Sequence, residues 1–136
     1  MNADRMRRRV ADARVARLAT VSADGRPHLV PICFALAGDR VFSAVDHKPK
    51  RSTRLRRLAN ARDTGVASLL IDEYDDDWTH LWWVRLDGPI TVLKTGPAAV
   101  LEALTTKYPQ YAATPPTGPM LALDITSWSG WSYLDD

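Results

Sequence analysis

The apolar positions change period along the chain. Residues 3–13 place Met6, Val10 and Ala13 at i, i+4 and i+7, with Arg5, Arg8 and Arg9 largely off that stripe. This is the pattern of a short amphipathic helix, expected to pack loosely on the outside of a domain. From Val15 the pattern turns to short strands. Residues 17–21 run into the Asp24-Gly25 turn, residues 27–36 form a second apolar run, Gly38-Asp39 turns again, and residues 40–45 form a third. Three strands joined by tight turns read as an antiparallel meander. Pro31 cannot donate a ladder hydrogen bond, so it is expected at a bulge or an unpaired edge.

The second half continues this alternation. After a basic loop, Leu55, Leu58 and Ala59 supply the inward stripe of a short helix and leave Arg54, Arg56 and Arg57 outside or at its margin. Residues 65–71 are nearly continuously apolar, which predicts a central strand buried on both faces. The acidic stretch 72–77 lacks the Gly and terminal Glu of a calcium loop. Residues 79–86 form a strand with Trp82 and Trp83 on opposite faces. Asp87-Gly88-Pro89 then marks a bulge or turn, after which residues 90–93 continue that strand or begin its neighbour. Gly96-Pro97 opens a helix to about residue 108 with Val100, Leu101 and Leu104 inward. Residues 108–119 read as a Pro-rich loop, and residues 120–126 as the last strand, followed by Trp128 and Trp131.

These elements predict a mainly β fold, a small Greek-key or split β-barrel with flanking helices, the alternative being an open sandwich. The 136 residues fit one domain, with a helix in 1–14 and a barrel in 16–131. An apolar fraction of 46% and a charged fraction of 25% match an ordinary globular protein. No apolar run approaches a membrane span, and the basic N-terminus carries no signal-peptide core. Cys33 is the single cysteine, so no internal disulfide forms, in keeping with a cytoplasmic protein.

Charge changes the picture more than composition does. The net charge of +2 conceals a balance of +10 over residues 1–62 and −8 over the rest. Such a split favours an anionic ligand on one face, or contact between the acidic and basic surfaces of two subunits. Lys48, Lys50 and Arg51 lie in a Pro-stiffened loop just before Ser52 and Thr53, both good N-cap residues. Cations and helix N–H groups would converge there on an anion such as a phosphate. A solvated helix face is the alternative reading of the same charges.

Little else in the sequence carries chemistry. His28, His47 and His80 lack metal-ligand spacing, and no metal site is expected. Cys33 sits in an apolar strand and reads as a packing residue. No nucleophile elbow or nucleotide-binding glycine motif occurs. The aromatics do not interleave with the cations, which speaks against a nucleic-acid module. If the protein is an enzyme, a bound cofactor carries the reactive group.

The order of Ala16-Arg17-Leu18-Ala19-Thr20-Val21, an Asp-Gly turn, the run from Pro27 to Phe34, Phe42-Ser43-Ala44-Val45 and the loop with Lys48, Lys50 and Arg51 resembles a known superfamily. It is that of the flavin and deazaflavin reductases with a pyridoxamine 5′-phosphate oxidase-like split β-barrel. The nearest resemblance is to the actinobacterial branch assigned as coenzyme F420-dependent enzymes. The resemblance implies a homodimer with two cofactor sites at the subunit interface, each built from both chains, for coenzyme F420 or alternatively FMN. It puts Ser43, Lys48, Lys50 and Arg51 at the cofactor phosphate and the ring against Val30, Pro31 and Ile32. It makes Trp82 and Trp83 candidates to cover the ring from the partner chain. The implied activity is hydride transfer between reduced deazaflavin and an unsaturated small molecule. The alternatives are an FMN-dependent oxidase or reductase on the same fold, or a non-catalytic flavin-, deazaflavin- or haem-binding protein. The chain lacks a match to the C-terminal substrate-binding segment of classical pyridoxamine phosphate oxidase, so vitamin B6 oxidation is not expected.

Overall fold

A computed structural model of the chain describes residues 1–45 and 52–134, and only the backbone of residues 52–55. The elements in chain order are α1 (Ala3–Asp12), β1 (Ala16–Val21), β2 (Pro27–Ile32), β3 (Ala35–Ala37), β4 (Arg40–Ala44), α2 (Ser52–Asp63) and β5 (Val66–Glu73). A single 3-10 turn, Trp78–His80, follows, and then β6 (Trp82–Leu93), α3 (Ala98–Lys107), α4 (Pro109–Ala113), β7 (Met120–Asp124) and β8 (Ser127–Ser132). All strand pairings are antiparallel. The order is β2-β1-β5-β6-β7-β4-β3, with β8 also paired to β6. This is a mainly β fold of the split-barrel type with flanking helices, the sheet running open from β2 to β3.

The long strand β6 joins the two halves. It pairs with β5 from Trp82 to Pro89, with β8 from Trp82 to Asp87, and with β7 from Ile90. The change of partner falls at Gly88, where a Cβ would collide with the Asp124 carbonyl. A glycine is therefore required for the close backbone approach. The Asp87-Gly88-Pro89 bulge lies within one bent strand. Leu18, Leu69, Val84, Leu86 and Leu121 fill the main core, while Phe42, Val100, Leu104 and Met120 form a second cluster beneath α3.

Several expectations change. The run 27–36 breaks into β2 and β3, and Cys33 in the gap is exposed rather than packed in a strand. Strand β5 is central in the order, yet its two faces differ: Ala67, Leu69 and Ile71 are buried while Val66 and Leu70 are 58% and 37% exposed. An apolar run had hidden a strand with one face left to another surface. Helix α1 is pinned firmly. Val10 is fully buried, the Arg7 guanidinium donates to the Gly38 carbonyl at 2.7 Å and to Asp39 at 2.6 Å, and Arg9 lies over the Trp82 ring. The stretch 127–132 is a strand of its own, and residues 109–113 of the Pro-rich loop form a helical turn. Pro31 does lie on an edge strand, because β2 ends the order. No helix among the described residues is long and apolar enough to cross a membrane.

Candidate functional site

A cavity of about 300 Å³ opens where the ends of β2 and β4 approach α2 and α4. Pro31 and Ile32 supply one wall, and Ser43 and Ala44 the second. Arg57 enters from α2, and Tyr111 from α4 closes the side away from it in sequence. Val15 and Cys33 complete the lining. The backbone explains why these meet. Strand β2 ends at Ile32, and the Ser43 hydroxyl on β4 donates to the Cys33 carbonyl at 2.9 Å, bracing the chain just past that end.

The residues expected at a cofactor are only partly brought together. Pro31, Ile32 and Ser43 line the cavity, whereas Val30, one residue away on an alternating strand, packs partly buried against the core. Ser43 is 4% exposed and its single proton is engaged by Cys33, so its oxygen is left as an acceptor. Lys48, Lys50 and Arg51 lie outside the described residues. Trp82 is a core residue whose indole N–H points to Glu73 at 3.4 Å, and it does not reach the cavity. Trp83, on the other face, is partly buried with the Arg85 guanidinium above its ring.

Arg57 was expected outside or at the margin of its helix, and it is 9% exposed. Helix α2 turns Arg57, Leu58, Asn60 and Ala61 inward and Ala59 outward. Asn60 sets that rotation, its amide donating to the buried Thr20 hydroxyl at 3.1 Å. The positive potential at this end acts on His28 of β2. Burial first, and then the charges of Arg56 and Arg57, hold its imidazole below the ordinary histidine range. Tyr111 was missed because its segment read as a loop, although Pro109 sits where prolines begin helices.

The family of pyridoxamine 5′-phosphate oxidase matches residues 3–132. The chain belongs to the pyridoxamine 5′-phosphate oxidase family. No curated protein matches the sequence. Among solved structures, a FAD-binding protein from Mesorhizobium loti is similar with a TM-score of 0.69 at 19% identity, covering 96% of this chain and 94% of its own. The haem storage protein of Vibrio cholerae gives a TM-score of 0.70 at 14% identity, covering 96% and 93%. A conserved hypothetical protein from Mycobacterium tuberculosis gives 0.69 at 21% identity, covering 97% and 85%. These likenesses show the fold.

The cavity combines an apolar wall with a buried cation. The Pro31 and Ile32 side offers an apolar wall, and Arg57 offers a cation held in little water, where a charge-assisted hydrogen bond is strong. The volume of about 300 Å³ lies at the low end of the roughly 300–1,000 Å³ of ligand pockets. Among the described residues, no group of three or more His, Cys, Asp and Glu side chains could hold a metal ion.

Proposed function

We propose that the protein is a cytoplasmic homodimeric oxidoreductase that holds a flavin-type cofactor, coenzyme F420 in the first place and FMN as the alternative. The observation that carries this reading is the cavity where Pro31, Ile32 and Arg57 converge. The cofactor ring would supply the hydride for reduction of an unsaturated small molecule. The chain's own part is to bind and orient. Arg57, together with Lys48, Lys50 and Arg51, neutralises the phosphate end, and Pro31 and Ile32 offer the ring an apolar surface. In the sequence, Lys48, Lys50 and Arg51 follow the cavity residue Ala44 by four to seven positions.

Support for the dimer comes from the outer face of β2-β1-β5. Leu29, Val66 and Leu70 are exposed there, and Pro31, Arg17 and Leu70 stand in one cross-strand row that joins this face to the cavity. A second copy would bury the apolar face and close the open side of the pocket. The similar FAD-binding protein supports a flavin-type ligand. Titrating the purified protein with deazaflavin and FMN in parallel tests the reading, followed by multiple-turnover assays with reduced cofactor. Tight binding of deazaflavin is expected; preference for FMN moves the protein to the flavin-dependent alternative, and binding of neither overturns the reading.

A second reading is storage of haem or flavin without turnover. Its specific support is Cys33, an exposed thiol on the cavity that could serve as an axial ligand, together with the similar haem storage protein. A haem Soret band that is lost in Cys33→Ala, with no turnover by the flavin-loaded protein, would favour it.

A further inference from the structure

Between β2 and β3 the chain leaves the strand ladder for Cys33 and Phe34, and Phe34 is fully buried. Its backbone groups need partners, and all of them come from the end of α3. The Phe34 N–H donates to the Tyr108 hydroxyl at 3.1 Å. That hydroxyl lies 2.9 Å from the Arg14 carbonyl and 3.2 Å from the Phe34 carbonyl, and it has one proton to give. With the proton on the shorter contact to Arg14, the Phe34 carbonyl is served by Lys107, whose Nζ donates to it at 3.1 Å. The same ammonium stands 3.9 Å from the centre of the Phe34 ring. Tyr108 also packs edge-on against Tyr111, 5.6 Å between ring centres, and Tyr111 lines the cavity.

We propose that Lys107 and Tyr108 are positioning residues for the ligand of this cavity, fixing the wall at Ile32 and Cys33 through the adjoining Phe34 backbone and the α4 wall through Tyr111. The proposal rests on the reading of the cavity as the cofactor site. Without the pair, the buried Phe34 N–H and carbonyl would have to find other partners, and the pocket would no longer be preformed.

Lys107 adds a dependence on pH. Burial first, and then the Arg14 guanidinium, lowers its pKa to about 8, while Cys33 of the wall and Asp12 at the end of α1 act in the opposite direction. Tyr108 is its titratable neighbour on the helix end, pushed up by burial. Above about pH 8 the ammonium becomes an amine. The hydrogen bond to Phe34 and the ring contact both lose their charge, which loosens the hold on the backbone next to Cys33.

The test compares wild type, Lys107→Arg, Lys107→Met and Tyr108→Phe. FMN and deazaflavin are titrated from pH 6.5 to 9.5, and hydrogen exchange of the Phe34 amide is followed at pH 7 without ligand. Wild-type affinity should fall about three- to tenfold between pH 7 and 9, stay level in Lys107→Arg, and be weak and level in Lys107→Met. Tyr108→Phe, with melting cooperativity retained, should exchange the buried Phe34 amide at least about threefold faster, because that N–H loses its acceptor. A Lys107→Met variant with wild-type affinity and pH profile, or unchanged Phe34 exchange in Tyr108→Phe, would overturn the proposal. Failure of the wild type to bind either ligand at any pH sinks the cofactor reading instead, and the exchange rate still decides whether Tyr108 holds the Phe34 backbone.

Discussion

At Lys107, burial and charge oppose each other, and the consequence can be read in stability. Its folded pKa of about 8 lies below the ordinary 10.5. Between those values the unfolded chain binds more protons than the folded one, so stability rises with pH across this window, and the cost is fully present below about pH 8. Tyr108, held above its ordinary value of 10, acts the other way once pH passes 10, which leaves pH 8 to 10 as the clean range. Urea midpoints should increase over that range in the wild type and flatten in Lys107→Met; equal slopes would refute this account of Lys107. Sequence reasoning found Pro31, Ile32 and Ser43 but not Arg57 as a lining residue. Arg57 is one cation in a run of them, and a Lys/Arg run does not reveal which member turns inward. That rotation is set by the Asn60–Thr20 hydrogen bond across 40 residues.

At the scale of elements, the strongest local demand falls on β6. Gly88, still paired with β5, lets it pass from β8 to β7 against the Asp124 carbonyl. Gly88→Ala should destabilise the protein by roughly 2 kcal/mol or more, because the collision is with backbone rather than a yielding side chain. A urea midpoint equal to wild type would show that the two halves can separate there without cost. The sequence anticipated this bend from Asp-Gly-Pro. It also gave α3, whose inward Val100 and Leu104 repeat at helical spacing. It missed β8, in which serines and a glycine dilute the alternation and the strand is instead recruited by pairing with β6. Gly130 has its reason in packing: a Cβ there would crowd Met6 of α1. The gap at Cys33 and Phe34 was likewise invisible, since nothing in an apolar run announces that its hydrogen bonds will be met by Tyr108 and Lys107.

For the whole molecule, charge and apolar surface point to the same arrangement. The basic half of the sequence contributes Arg57 to the cavity, while the outer sheet face beside it leaves Leu29 67% exposed. A substitution that places charge on this face, Leu29→Arg, should yield a folded monomer by sedimentation and weaken cofactor binding with it. A dimer that persists would place the interface elsewhere. The split-barrel fold was legible because alternation and turn chemistry agree along most of the chain. The full lining of the cavity was not, because Arg57 and Tyr111 are brought to it by packing between distant segments.

The most direct test of the account is the affinity of deazaflavin for wild type and Arg57→Ala, measured side by side at pH 7 with thermal melting as a control for folding. Loss of a charge-assisted hydrogen bond from a largely buried arginine should weaken binding by about 10- to 100-fold while cooperative melting is retained. Equal affinity in the two proteins would mean that the cavity between β2, β4 and α2 is not where the cofactor's anion is held.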